Sequence, residues 1–202
     1  MIEEGVKSMY QEKQRRTAVF LDRDGTIIEE VNYLRDLGEV RIIPAAIDGL
    51  HILQEHFPLV IITNQAGIAR GYLDENQLHK IHDHLIELLA REGIYLAGIY
   101  YCPHHPSIGH PPYLGECQCR KPRPGLLLEA AVDLGLDLST SYTIGDKLSD
   151  IAAGSKAGTH TILVRTGHGK EHEHLVSSKN VFPDYLADDL LGAATWIIEK
   201  ID

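Results

Sequence analysis

Short runs of consecutive apolar residues alternate along this chain with longer stretches in which apolar positions recur every three or four residues. Runs of the first kind suit strands buried on both faces of a parallel sheet, and stretches of the second suit helices that cover it. Five strands are predicted, at 17–22 (TAVFLD), 58–63 (PLVIIT), 98–102 (GIYYC), 141–146 (SYTIGD) and 160–165 (HTILVR). Between them the pattern predicts helices. One begins at Pro44 (PAAIDGLHILQEH), and one follows Asp74 and Gln77, which have capping-box spacing, and runs to Gly93. Three more are PGLLLEAAVDLG, LSDIAAGSKAG and LLGAATWIIEKI, the first two closed by glycine. Strands alternating with helices give an α/β fold, a Rossmann-like three-layer sandwich around a central parallel sheet. The expected organisation is a polar extension over 1–16 followed by one domain over 17–202. The His-rich stretch 167–175 (GHGKEHEHL) reads as a solvated loop.

In an open parallel sheet, ligands gather beyond the carboxyl ends of the strands, so the residues just past each run carry the chemistry. After the first strand comes DRDGT, whose Asp22 and Asp24 project to one side if the backbone stays extended, before Gly25 lets the chain turn. TNQAG follows the second strand and supplies the Thr63 hydroxyl and the Asn64 amide. GDKLSD follows the fourth with Asp146, Lys147 and Asp150, and Lys121 stands in CRKPRPG just ahead of a helix. Any one aspartate at a turn is ordinarily a cap or a solvated group. Several converging on one sheet edge need a cation, and hard oxygen ligands suit Mg²⁺, which fills its remaining positions with water and phosphate oxygen. One carboxylate can then act as nucleophile on phosphorus while its neighbour serves as acid and base, with lysine, threonine and asparagine around the transferred group.

Composition narrows the partners. A net charge of −10 over 202 residues disfavours non-specific attraction to nucleic acid or anionic membrane. No apolar run approaches the roughly 18 to 20 residues of a membrane span, and no apolar leader precedes Thr17, so a cytoplasmic protein is expected. The expected partner is a small molecule and the expected state a monomer. All three cysteines fall in the loop 102–119, beside histidines, which suits a reducing compartment and metal ligation. Cys102 and His104 make a C-x-H pair, and Cys117 and Cys119 a C-x-C pair. A filled Cys₃His sphere suits tetrahedral Zn²⁺ and leaves no open position, which points to a structural ion. His105 and His110 are the alternatives to His104.

VFLDRDGT, IITNQ, the lysine of RKP and IGDKLSD stand in the order of the four motifs of the haloacid dehalogenase superfamily of phosphatases, which the chain resembles from Asp22 to Asp150. The resemblance implies that Asp22 forms an aspartyl-phosphate and that Asp24 protonates the leaving alcohol and then activates water. Thr63 and Lys121 would steady the phosphoryl group. Mg²⁺ would lie against the Asp22 carboxylate, the Asp24 carbonyl and Asp146. Asp150 matches the second acid of the last motif, and a helix-start role for it stays open.

The zinc loop ending in CQCRKP is similar to that of the D,D-heptose 1,7-bisphosphate phosphatases, and also to that of the histidinol-phosphate phosphatases. The long excursion between His104 and Cys117 resembles the former more. Only about twenty residues separate Asp24 from the helix at Pro44, too few for a cap domain of roughly 50 residues, so the site should be open. By this resemblance Glu30, Val31, Asn32 and Tyr33 contact a sugar bisphosphate, Thr63, Asn64, Gln65, Ala66 and Lys121 surround its phosphate, and Arg120 and Lys147 recognise further oxygens or a second phosphate. The implied activity is removal of the C7 phosphate. The alternatives are a histidinol-phosphate phosphatase, a DNA-end phosphatase, which the acidic charge disfavours, and a non-catalytic zinc-binding interaction module.

Overall fold

The computed structural model describes residues 16–201; the extension expected over 1–16 lies, but for Arg16, outside the described residues. Six parallel strands form one sheet: β1 (Val19–Leu21), β2 (Leu59–Asn64), β3 (Leu96–Cys102), β4 (Tyr142–Gly145), β5 (His160–Val164) and β6 (Tyr185–Ala187). Their order across the sheet is β3-β2-β1-β4-β5-β6, with Leu21 opposite Ile61 on one side and Ile144 on the other. The chain winds outward from β1 to β3 and then returns to place β4 on β1's free flank. The order therefore reverses at the β1/β4 seam, and the carboxyl ends of these two strands open the crevice in which such folds bind ligands.

Side-chain alternation along the strands builds two apolar layers. Val19, Leu21, Leu59, Ile61, Ile144 and Ile162 point to one face. There they meet Leu50 and Leu53 of α1 (Pro44–Gln54), Ile81, Leu85 and Leu89 of α2 (Glu75–Arg91), and Ala193 and Ile197 of α6 (Leu190–Ile201). Ala18, Phe20, Val60 and Ile62 point to the other face, against Leu126, Leu127 and Ala130 of α3 (Gly125–Leu134) and Ala153 of α4 (Leu148–Ala157). Each of the Val, Leu, Ile and Phe side chains among them, fully buried, contributes about 1.5–3 kcal/mol.

The helix ends obey their sequence signals. Pro44 opens α1, and Gly135 and Gly158 close α3 and α4 in the left-handed conformation. At α2 only one arm of the expected capping box forms. The Asp74 carboxylate accepts from the Gln77 backbone N–H at 2.7 Å, but the Gln77 side chain donates to the Arg35 carbonyl. The His-rich stretch is not a loop: α5 spans Gly169–Lys179, and its His172 accepts the first N–H of α4 at 3.2 Å through Nδ1. Strand β6 is a further element that the apolar pattern does not predict.

Candidate active site

The last turn of β1 delivers Asp22 to the seam, where its N–H donates to the Ile144 carbonyl at 2.9 Å. Gly25 then turns the chain with φ +84°. A Cβ there would lie 2.3 Å from Asp146 Oδ2, so glycine lets the two strand-end loops close on each other. Thr166, just ahead of α5, fastens the turn by donating to the Gly25 carbonyl at 2.6 Å.

One oxygen each of Asp22, Asp146 and Asp150 lies within 4.8 Å of the others, all three residues being buried. Lys121 stands among them, its ammonium 2.9 Å from Asp22 Oδ1 and 2.6 Å from Asp150 Oδ1, and it donates to the Ile62 carbonyl at 2.7 Å. Burial pulls this lysine down, but Asp150 and Asp22 outweigh it and hold the ammonium above its ordinary value. Asp146 is in the opposite position. Burial first, then the neighbouring Asp22 charge, push it up to about 8. Its Oδ2 accepts the His168 N–H at 2.8 Å, and the nearest cation to Oδ1 is Lys147 at 3.4 Å. A carboxyl so loaded with negative neighbours fits a divalent cation, which would restore its ionised form. Asp150 takes the helix-start role, its Oδ2 accepting the Lys147 N–H at the start of α4 at 2.9 Å, while its Oδ1 holds Lys121.

Above this cluster lies a cavity of about 340 Å³. Asp22, Asp24, Glu30, Val31, Asn32, Tyr33, Thr63, Asn64, Gln65, Ala66, Arg120, Lys121 and Lys147 all line it. Not all of them aim at its centre. Asn64 spends its amide on the backbone of Lys121, donating to its carbonyl and accepting from its N–H, each at 3.1 Å. Gln65 donates to Thr63 Oγ1 at 2.8 Å and to Asp24 Oδ2 at 2.9 Å, which leaves the Thr63 hydroxyl proton for an incoming oxygen. Glu30 pairs with Lys147 at 2.8 Å. The Asp24 carboxylate stands apart from the metal-type cluster, gripped by Arg23 at 2.9 Å.

The loop beyond β3 brings Cys102, His104, Cys117 and Cys119 together, as expected. Their sulfurs are 3.1 to 3.5 Å apart, and His104 Nδ1 is 3.4 Å from Cys119 and 3.8 Å from Cys102. Disulfides would need about 2.05 Å. A tetrahedron with 2.3 Å metal–sulfur arms has edges of about 3.8 Å, so the donor set fits a zinc ion. His105 is not a member. Its Nδ1 accepts from the N–H groups of Ser107 and Ile108 at 3.2 and 3.0 Å. The clamp is tied to two arginines, because Arg120 donates to the His104 carbonyl at 3.1 Å and Arg123 donates to that of Cys117.

Among the cavity residues that sequence reasoning did not place there are Arg70, His105 and His168. Arg70 lies at the end of TNQAGIAR, three residues past the TNQAG turn, and its guanidinium stacks 5.3 Å from the Tyr33 ring centre. With Nδ1 accepting twice, the neutral His105 ring carries its proton on Nε2, and that nitrogen faces Arg70 Nη2 at 3.3 Å. Burial first, then Arg120 and Arg70, keep His105 below its ordinary value and therefore neutral. Two donors thus face each other across the cavity wall.

A family model described as HAD-hydrolase-like matches residues 118–193. A D-glycero-D-manno-heptose-1,7-bisphosphate 7-phosphatase of Chlorobaculum tepidum is 43% identical over 187 residues, covering 89% of this chain and 93% of the relative. The chain belongs to the heptose-1,7-bisphosphate 7-phosphatase family. Another member, the D-glycero-beta-D-manno-heptose-1,7-bisphosphate 7-phosphatase of Photorhabdus laumondii, is 45% identical over 74% of this chain and 81% of its own length. Among solved structures, the D,D-heptose 1.7-bisphosphate phosphatase of B. bronchiseptica, complexed with magnesium and phosphate, superposes with a TM-score of 0.78 at 30% identity over 91% of this chain and 99% of its own. A putative HAD-like phosphatase of Mesorhizobium loti gives 0.79 at 32% identity over 93% of this chain and 88% of its own.

Proposed function

We propose that this chain is a Mg²⁺-dependent phosphatase that removes the C7 phosphate from D-glycero-D-manno-heptose 1,7-bisphosphate, a step toward nucleotide-activated heptose for surface polysaccharide. The observation that carries the reading is the buried Asp22–Lys121–Asp150 array beside Asp146, at the floor of a cavity whose far wall offers Arg70, His105 and Arg120. One end suits a phosphoryl group under attack. The other suits a phosphate that is held and not cleaved.

Asp22 Oδ1 already accepts from Lys121 and, at 2.8 Å, from the Arg23 N–H, so Oδ2 has the lone pair to offer phosphorus. Its attack forms the aspartyl-phosphate while the bond from phosphorus to the C7 oxygen breaks, and Asp24 gives that oxygen its proton. Water then attacks the same phosphorus, loses a proton to Asp24, and frees Asp22 and inorganic phosphate. Lys121 and the Thr63 hydroxyl steady the charge that builds on the phosphoryl oxygens. Mg²⁺, held by Asp22, the Asp24 carbonyl and Asp146, would supply positive charge against the phosphoryl oxygens and let the acids remain ionised together. Zn²⁺ at Cys102, His104, Cys117 and Cys119 is read as structural, placing Arg120 and Lys121. A single chain over 17–202 carries every residue named, so a monomer suffices. A cytoplasmic location accords with a small phosphorylated substrate, and no described helix is long and apolar enough to cross a membrane.

The test is a phosphate-release panel with and without Mg²⁺, comparing heptose 1,7-bisphosphate, fructose 1,6-bisphosphate and histidinol phosphate. The heptose should lead in kcat/KM by about tenfold or more. A preference for histidinol phosphate would move the chain to that activity, and no metal-dependent hydrolysis of any of them would leave a binding module.

A further inference from the structure

Arg23, the middle residue of DRD, is the largest of the fully buried side chains, at 1% exposure. A guanidinium withdrawn from water costs several kcal/mol unless its donors are met. Nε and Nη2 are met by the Asp24 carboxylate in four contacts of 2.9 to 3.2 Å, the planar fork closing on both oxygens. Nη1 is buried with no hydrogen-bond partner among the described residues.

A second orphan lies nearby. His82, on the inward face of α2, is 6% exposed, and its Nε2 is also buried without a partner among the described residues. Burial first, and then the charge of Arg23, hold His82 down to about 3, so the ring is neutral and lies within the guanidinium's field. Neither nitrogen bonds to the other in the described structure, so what holds the Arg23 guanidinium is its grip on Asp24.

We propose that Arg23 is a positioning residue for Asp24 and that its two-nitrogen grip aims the Asp24 carboxylate for proton transfer to the leaving oxygen. Arg23 binds both carboxylate oxygens, and Gln65 binds Oδ2 at 2.9 Å, so the group is held in orientation as well as in place. Proton transfer is sensitive to that aim, because the donor must reach the departing oxygen within hydrogen-bond distance. The proposal rests on the reading of Asp24 as acid and base.

A leaving group that needs no proton separates this role from a merely structural one. A sugar alkoxide departs with a proton from Asp24, and a nitrophenolate departs without one. kcat/KM reports the steps through transfer to Asp22. Arg23→Lys should lower kcat/KM for heptose 1,7-bisphosphate by about 10²-fold while kcat/KM for p-nitrophenyl phosphate stays within about threefold. Arg23→Gln, which stays polar but loses the charged fork, should shift the same ratio in the same direction. Equal losses on both substrates, or no loss on either, overturn the proposal. Should Arg23→Lys fail to fold, the Arg23→Gln ratio decides in its place, and an unchanged ratio again overturns it. Assay of the unmodified chain with both substrates and Mg²⁺ comes first: no hydrolysis there sinks the phosphatase reading itself, whereas the ratio bears on Arg23 alone.

Discussion

Asp22 and Asp146 oppose each other electrostatically until a cation joins them, so a neutral side chain at either position changes chemistry and stability in different directions. Asp22→Asn keeps an oxygen for Lys121 and the Arg23 N–H but cannot carry the phosphoryl group. Turnover should fall by at least about 10⁴-fold. The metal-free chain should be at least as stable as before, because one of the charges that raises Asp146 is gone. Steady-state phosphate release and a thermal melt in chelator check both arms, and retained activity would end the nucleophile assignment. Arg70 tests the other end of the cavity. Its Nη2 and the His105 Nε2–H converge at 3.3 Å with no acceptor between them, an arrangement that an anionic oxygen completes. A hydrogen bond to a charged group is worth about 1.5–3 kcal/mol, so Arg70→Met should raise KM for heptose 1,7-bisphosphate by about tenfold or more. KM for a monophosphate ester that cannot reach the far wall should stay put, and an equal rise in both would remove Arg70 from phosphate recognition.

At the scale of elements, the Cys/His loop and the loop after β2 form one unit. The His110 N–H donates to the Ala69 carbonyl at 3.2 Å, and a Cβ on Gly109 would stand 2.0 Å from that same oxygen. The excursion between the ligand pairs is thus seated beside Arg70, while the far side of the clamp holds Arg120 through the His104 carbonyl. Cys119→Ser should therefore lower bound zinc well below one per chain and raise KM for the bisphosphate by roughly tenfold; metal analysis with matched kinetics checks this, and full activity in zinc-free protein would make the clamp dispensable. The five strands that carry strong apolar runs, and the three motifs that follow β1, β2 and β4, were legible because buried parallel strands leave an uninterrupted signal. Strand β6 was not, being three residues long at the sheet's edge. Helix α5 was not either: Gly169 is the one residue buried among its eleven, so little apolar periodicity marks it. It is fixed by polar ties, Arg165 to Glu173 at 2.7 Å and His172 to the start of α4. Arg70 and His105 escaped for a related reason, since a donor facing a donor is a property of two loops in space and has no signature along the chain.

Over the whole molecule, one topological fact places the chemistry: the strand order reverses between β1 and β4, so Asp22 and Asp146, far apart in sequence, emerge side by side. The helices packed on the sheet are then more than cover, and α2 carries His82 into the interior, within the field of the Arg23 charge. That burial has a consequence for global stability. His82 is held at about 3 in the folded chain, and in the unfolded chain a histidine takes up its proton near 6.5. Below the unfolded value, unfolding binds a proton that the folded state refuses, so acid favours the unfolded state. The contribution of neutral His82 is fully present above about pH 6.5 and is lost progressively as pH falls toward 3, with a limiting slope of about 1.4 kcal/mol per pH unit. His82→Gln has no such group and should show a flatter dependence. Relative to its own value at pH 7.5, the variant should gain about 2 kcal/mol on the unmodified chain by pH 5. Urea unfolding of both proteins at the two pH values measures the difference, and any loss of bound metal in acid, common to both, cancels in it. Parallel stability curves would mean that His82 takes up its proton inside the fold as readily as in the unfolded chain, against its burial and the charge of Arg23.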